Sequence, residues 1–130
     1  MRRSVAVALL LMEFCAPLDA AQQTASVQAE ISTLLSALES SGCQFNRNGT
    51  WYNGSDARSH LLEKLRNLES KVTIQSAEQF IEIAASASSI SGTPYMVRCG
   101  VAGPVPSNVW LRAKLQELRV DAGANAPTKR

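Results

Sequence analysis

His60, the single histidine of the chain, is followed one helical turn later by Lys64, and Arg47 stands just before Asn48 and Gly49 in "QFNRNG". These residue types move protons or hold anions. An imidazole titrates near neutral pH and can serve as a general base, and a guanidinium offers a planar fork of donors to a carboxylate. Serines at 86, 88, 89 and 91, in "SASSISGTPY", add hydroxyls that could be nucleophiles. A serine nucleophile needs a base and a group that orients the base. The chain offers only His60 for the first role, with Glu78 or Asp56 for the second, and it contains neither GxSxG nor SxxK. Four serines leading into Gly92 are better explained as small polar residues whose hydroxyls satisfy backbone groups where a helix ends.

The other chemistry-bearing residues also have structural explanations. His60 at the edge of an apolar stripe is the usual place for a hydrogen-bonded boundary histidine. Glu78 falls in the first turn of an expected helix, where its charge complements the helix dipole. Arg47, on a strand beside a tight turn and opposite Tyr95, has the stronger claim to bind a carboxylate; the competing reading is an internal salt bridge with Glu78 or Glu82. Ser91 to Tyr95 fit SGxxY, a pattern that resembles a loop signature of periplasmic inhibitors of lysozyme. Those inhibitors are compact β-barrels, so the likeness is one of loop and not of fold. The plainer explanation is a positive φ at Gly92 and a strand start stiffened by Pro94.

The segment before these residues indicates where they would act. Arg2 and Arg3, an apolar run from Val5 to Met12 and the small residues Ala20 and Ala21 follow the order of a secretory signal peptide. The run is shorter than the roughly 20 residues a membrane span requires. Residues 1–20 are therefore expected to be a leader cleaved after Ala20, with lipidation at Cys15 disfavoured by the Met12-Glu13-Phe14 that precedes it. Removing the leader takes away two basic and two acidic residues, so the net charge stays at +2. That charge is weak and scattered, which argues against a nucleic-acid partner. The leader also takes Cys15, leaving Cys43 and Cys99 as an even pair in a compartment where disulfides persist. A bridge between them would close a long loop and contribute about 4 kcal/mol in the chain-entropy account. A metal site would need more ligands at close spacing, and neither metal nor cofactor is expected.

Hydrophobic periodicity supplies the frame. Val27, Ile31, Leu34, Leu35 and Leu38 mark a first helix that Gly42 ends. Cys43 to Arg47 alternate as a short strand running into an Asn-Gly turn. Asn53 caps a second helix over 54–70, with Ala57, Leu61, Leu65 and Leu68 as its apolar stripe. Ser76 and Gln79 form a capping-box pattern for a third helix, whose inner face reads Ala77, Phe80, Ile81, Ala84 and Ser88. Tyr95 to Cys99 read as a second strand. If Cys43 sits opposite Cys99 in an antiparallel pair, Phe45 falls opposite Val97 and Arg47 opposite Tyr95. Ser107 is expected to cap a fourth helix built on Leu111, Leu115 and Leu118. The domain then spans 21–120, with 121–130 as a disordered tail.

"FNRNG", "SHLLEKL", "SAEQFIEIAASASSISGTPYMVRC" and "PSNVWL", in this order and behind a leader, resemble the YfeK-like family of small exported bacterial proteins of unknown function. The resemblance covers residues 45–111. It implies an α+β domain in the bacterial periplasm and carries no activity or catalytic residue.

The expectation is thus a mostly helical α+β domain with about four helices, a short two-stranded antiparallel pair and one disulfide. It is exported, does not span a membrane, and is a binding or accessory module rather than an enzyme, with a periplasmic protein or cell-wall component as partner. The candidate binding residues are Arg47, Asn48, His60, Ser91 and Tyr95. Two other classes remain: an inhibitor or immunity-type protein acting on a periplasmic or cell-wall enzyme, and a small cell-wall hydrolase using His60.

Overall fold

Ile31, Leu34, Leu35 and Leu38 are wholly buried, as their spacing along one face requires. They belong to helix α1, Leu18–Ser40, in a computed structural model that describes residues 18–124. Residues 1–17, and with them most of the expected leader, lie outside the described residues. After α1 come strands β1, Gln44–Arg47, and β2, Thr50–Tyr52, then helices α2, Gly54–Glu69, and α3, Ala77–Ala84. Strands β3, Met96–Arg98, and β4, Val105–Pro106, lead into helix α4, Ser107–Ala124.

The sheet is antiparallel throughout, in the order β2-β1-β3-β4. Its central pair has the register the cysteines predict, with Phe45 opposite Val97. The Cys43–Cys99 disulfide closes that pair at its open end, with Cα atoms 4.3 Å apart. Beyond the expected pair, β2 and β4 are short edge strands. The β1–β2 hairpin turns on Asn48 and Gly49, both with positive φ, the backbone that a two-residue turn demands and that Asn-Gly tolerates best.

Alternation sends Phe45 and Val97 inward, onto Phe80, Ile81, Leu111 and the apolar faces of the helices. Helices α1 and α2 meet closely: a Cβ on Gly54 would stand 2.7 Å from the carbonyl oxygen of Glu39. That contact seats the start of α2 on the end of α1 and fixes the height at which His60 and Lys64 face the sheet. Asn53 caps α2 by accepting from the Asp56 amide at 2.9 Å, and Ser76 caps α3 by accepting from Gln79 at 3.0 Å, both as the sequence predicts.

Three local expectations change. Helix α3 ends at Ala84, so Ser88 lies beyond it in a turn, where its hydroxyl accepts from the amides of Ile90 and Ser91. Ser107 does not cap α4; it is buried and donates to the Ala85 carbonyl, pinning the start of α4 to the end of α3. Helix α4 continues to Ala124, past the tail boundary expected at 121, while residues 125–130 lie outside the described residues. No helix among the described residues is long and apolar enough to cross a membrane.

Candidate functional site

Strand β1 ends at Arg47, and the hairpin holds its half-buried side chain over the polar flank of α2. Its Nη1 donates to Nδ1 of His60 at 2.6 Å, closer than the 3.3 Å to Nε2, and its Nη2 donates to the Tyr52 hydroxyl at 3.4 Å. Nδ1 of His60 is therefore the acceptor, which leaves the proton of the neutral ring on Nε2. That nitrogen lies 3.2 Å from the Tyr95 hydroxyl. Lys64, one turn further along α2, donates to the same hydroxyl at 3.1 Å and to the Ala87 carbonyl at 3.0 Å.

Tyr95 is the structural pivot of this cluster. It is 1% exposed, its ring lies 5.0 Å from that of Phe45, and the Lys64 ammonium sits 4.9 Å above the ring centre. Its oxygen receives N–H groups from His60 and Lys64. With both lone pairs used, the phenolic hydrogen has no acceptor among the described residues.

Electrostatics follow from this crowding. Burial, then the nearby Arg47 and Lys64 charges, lower the pKa of His60 against a smaller opposing pull from Glu63. Burial and then Arg47 lower the pKa of Lys64, and burial raises that of Tyr95. Neither Arg47 nor Lys64 forms a salt bridge with a carboxylate among the described residues. Glu78 and Glu82, the expected partners of Arg47, pair instead with Arg119 and Arg112.

Two cavities flank the Arg47–His60 contact. One, of about 320 Å³, reaches Tyr52, Asp56 and Glu63. The other, of about 300 Å³, reaches Lys64, Tyr95 and the Ser88–Ile90 turn. Asn48 lines the second cavity and accepts a hydrogen bond from the Ser91 hydroxyl at 2.9 Å, which ties the hairpin to the loop before β3. The five sequence-predicted residues thus form one neighbourhood: Arg47, His60 and Tyr95 in direct contact, Asn48 and Ser91 at its rim.

Sequence reasoning underrated Lys64 and missed Tyr52. The signal for Lys64 was its spacing of one helical turn from His60; Tyr52 required recognition of β2. Tyr95 is a core residue whose hydroxyl alone reaches the cluster, so the SGxxY segment exposes Ser91 to Pro94 but not its tyrosine. No serine hydroxyl is hydrogen-bonded to His60 among the described residues. Ser86 instead donates to the Ile81 carbonyl at the end of α3.

The fold and this cluster define a small, disulfide-stapled, mostly helical α+β domain carrying a donor-rich polar pocket on the seam between a hairpin and a helix. The chain belongs to the family of unknown function DUF5329, whose model matches residues 25–119. It is similar to "Uncharacterized protein YfeK" of Salmonella typhimurium strain LT2, at 43% identity over 76 residues, 58% of this chain and 62% of that protein. The chain therefore spans less than two thirds of that relative's length. No solved structure matches this chain.

Proposed function

We propose that this domain is an exported binding module that captures an anionic group, a carboxylate first of all, in the cavity bounded by Arg47, Lys64 and Tyr95. The observation that carries the reading is a convergence of spare donors: neither Arg47 nor Lys64 is paired with a carboxylate among the described residues, although Glu63 also lines the cavity. Arg47 has five N–H groups and spends two, Lys64 has three and spends two, and the Tyr95 hydrogen has no partner. Burial and then the Arg47 charge lower the pKa of Lys64, and a bound anion would offset that charge. The cavity is of a size that suits a small ligand. The disulfide suits an oxidising compartment, as the expected leader does, and a periplasmic protein or cell-wall component would present such a carboxylate.

Calorimetric titration of the oxidised domain with N-acetyl-alanine, with inorganic phosphate as a second anion, tests the reading. Binding is expected in the wild type and at least tenfold weaker in Arg47→Ala and Lys64→Met variants that keep the wild-type melting temperature. Equal binding by the variants, or none by the wild type, would overturn it.

A further inference from the structure

The two cavities on either side of the Arg47–His60 contact differ in charge. Arg47, His60 and Glu63 line both, but Lys64 and Tyr95 line only one of them and Tyr52 and the carboxylate of Asp56 only the other. Neither the Asp56 nor the Glu63 carboxylate has a side-chain hydrogen bond or ion pair among the described residues. Glu63 lines both cavities, so the acidic and basic halves adjoin along one face of α2.

From this juxtaposition we infer that the ligand of the anion site is a zwitterion, a short peptide with its free carboxylate at Lys64, Arg47 and Tyr95 and its ammonium at Asp56. The inference rests on the anion reading above and adds the class of ligand. Length supports it: Asp56 and Lys64 are eight residues apart on α2, about 12 Å along the axis at 1.5 Å per residue. An extended tripeptide spans about 10 Å, and the flexible lysine side chain can close the remainder. Polarity supports it too, because the mutual repulsion of Arg47 and Lys64 favours an anion at one end, while the open carboxylate of Asp56 favours a cation at the other. Ile90 is 98% exposed and walls the carboxylate end. An apolar C-terminal side chain would cover it and bury surface now in water.

The test compares trialanine, N-acetyl-trialanine, which lacks the ammonium, and trialanine amide, which lacks the carboxylate, by calorimetry on the oxidised domain. Trialanine is expected to bind at least tenfold more tightly than either. In an Asp56→Asn variant, trialanine should weaken about tenfold and N-acetyl-trialanine should stay as it was, a readout that loss of folding cannot mimic. If N-acetyl-trialanine binds the wild type as tightly as trialanine, the zwitterion inference fails and the anion reading stands. If neither carboxylate-bearing peptide binds, both fail together.

Discussion

Arg47 and Arg119 sit in different settings in this domain and have opposite company. Arg119, on α4, donates to Glu30 of α1 at 2.7 and 3.0 Å and also to Glu78 of α3. Its charge is answered twice, its pKa is raised by those bonds, and that of Glu78 is lowered, first by the hydrogen bond from Arg119. Arg47 instead donates to a neutral imidazole and a phenol, with Lys64 close enough to add to the burial and Arg47 charge that lower the pKa of His60. A cation that ties three helices together is spent on structure. A cation held by neutral acceptors beside another cation keeps its charge available, and that contrast is the basis for the proposal that Arg47 captures a ligand while Arg119 clamps helices.

The largest effect that sharpens the contrast comes from Tyr95. Tyr95→Ala removes a buried aromatic side chain and should cost about 3–5 kcal/mol, whereas Tyr95→Phe keeps the ring. Thermal melts should place Tyr95→Phe near the wild type and Tyr95→Ala far below it, and only the hydroxyl loss in Tyr95→Phe reports on binding, as weaker capture of N-acetyl-alanine. Reduction of the Cys43–Cys99 bridge ranks beside it, at about 4 kcal/mol in the chain-entropy account; melts with and without reductant check it.

Arg119→Ala comes next. It leaves Glu30 and Glu78 without their shared partner and should lower stability by about 1 kcal/mol, the scale of partly exposed ion pairs, with anion binding unchanged. Arg47→Ala should do the reverse, at least tenfold weaker binding with little change in melting temperature. If the two variants exchanged phenotypes, the contrast would be broken.

Dependence on pH gives the smallest effects. The folded pKa of His60 lies below its ordinary 6.5, so the unfolded chain binds the extra proton first and stability falls as pH drops below that value. His60→Gln should flatten this part of a stability-against-pH curve. Glu78 acts lower, its stabilising contribution being lost as pH falls below its ordinary 4.5 and through its depressed folded value. Glu78→Gln should remove that acid-side loss while leaving the one below 6.5 in place.

What was legible in the sequence was what local pattern or covalent chemistry dictates. Apolar spacing marked the four helices, Asn53 and Ser76 marked two of their starts, and the cysteine pair set the β1–β3 register, which in turn brought Arg47 to Tyr95. Edge strands β2 and β4 are three and two residues long, too short for alternation to register. The salt-bridge partners were also beyond reach, because Arg47 was weighed against Glu78 and Glu82 on charge alone, while the packing of α4 brings Arg119 and Arg112 to those glutamates. Ser107 was misjudged for a similar reason: local rules favoured a cap, and a buried carbonyl at Ala85 from another element took its hydroxyl. Lys64 was visible one turn from His60, but its role depends on Tyr95, the residue just before β3, arriving from 31 positions away.

The most direct test is a proton NMR titration of the His60 Cε1–H, a single resonance because the chain has one histidine, followed against pH with and without N-acetyl-alanine. Burial and then the Arg47 and Lys64 charges hold this pKa down; an anion seated among them offsets the charges, so the midpoint should move upward when the carboxylate is present and stay put in Arg47→Ala. A midpoint unchanged by the carboxylate in the wild type would contradict the assignment of anion capture to this site.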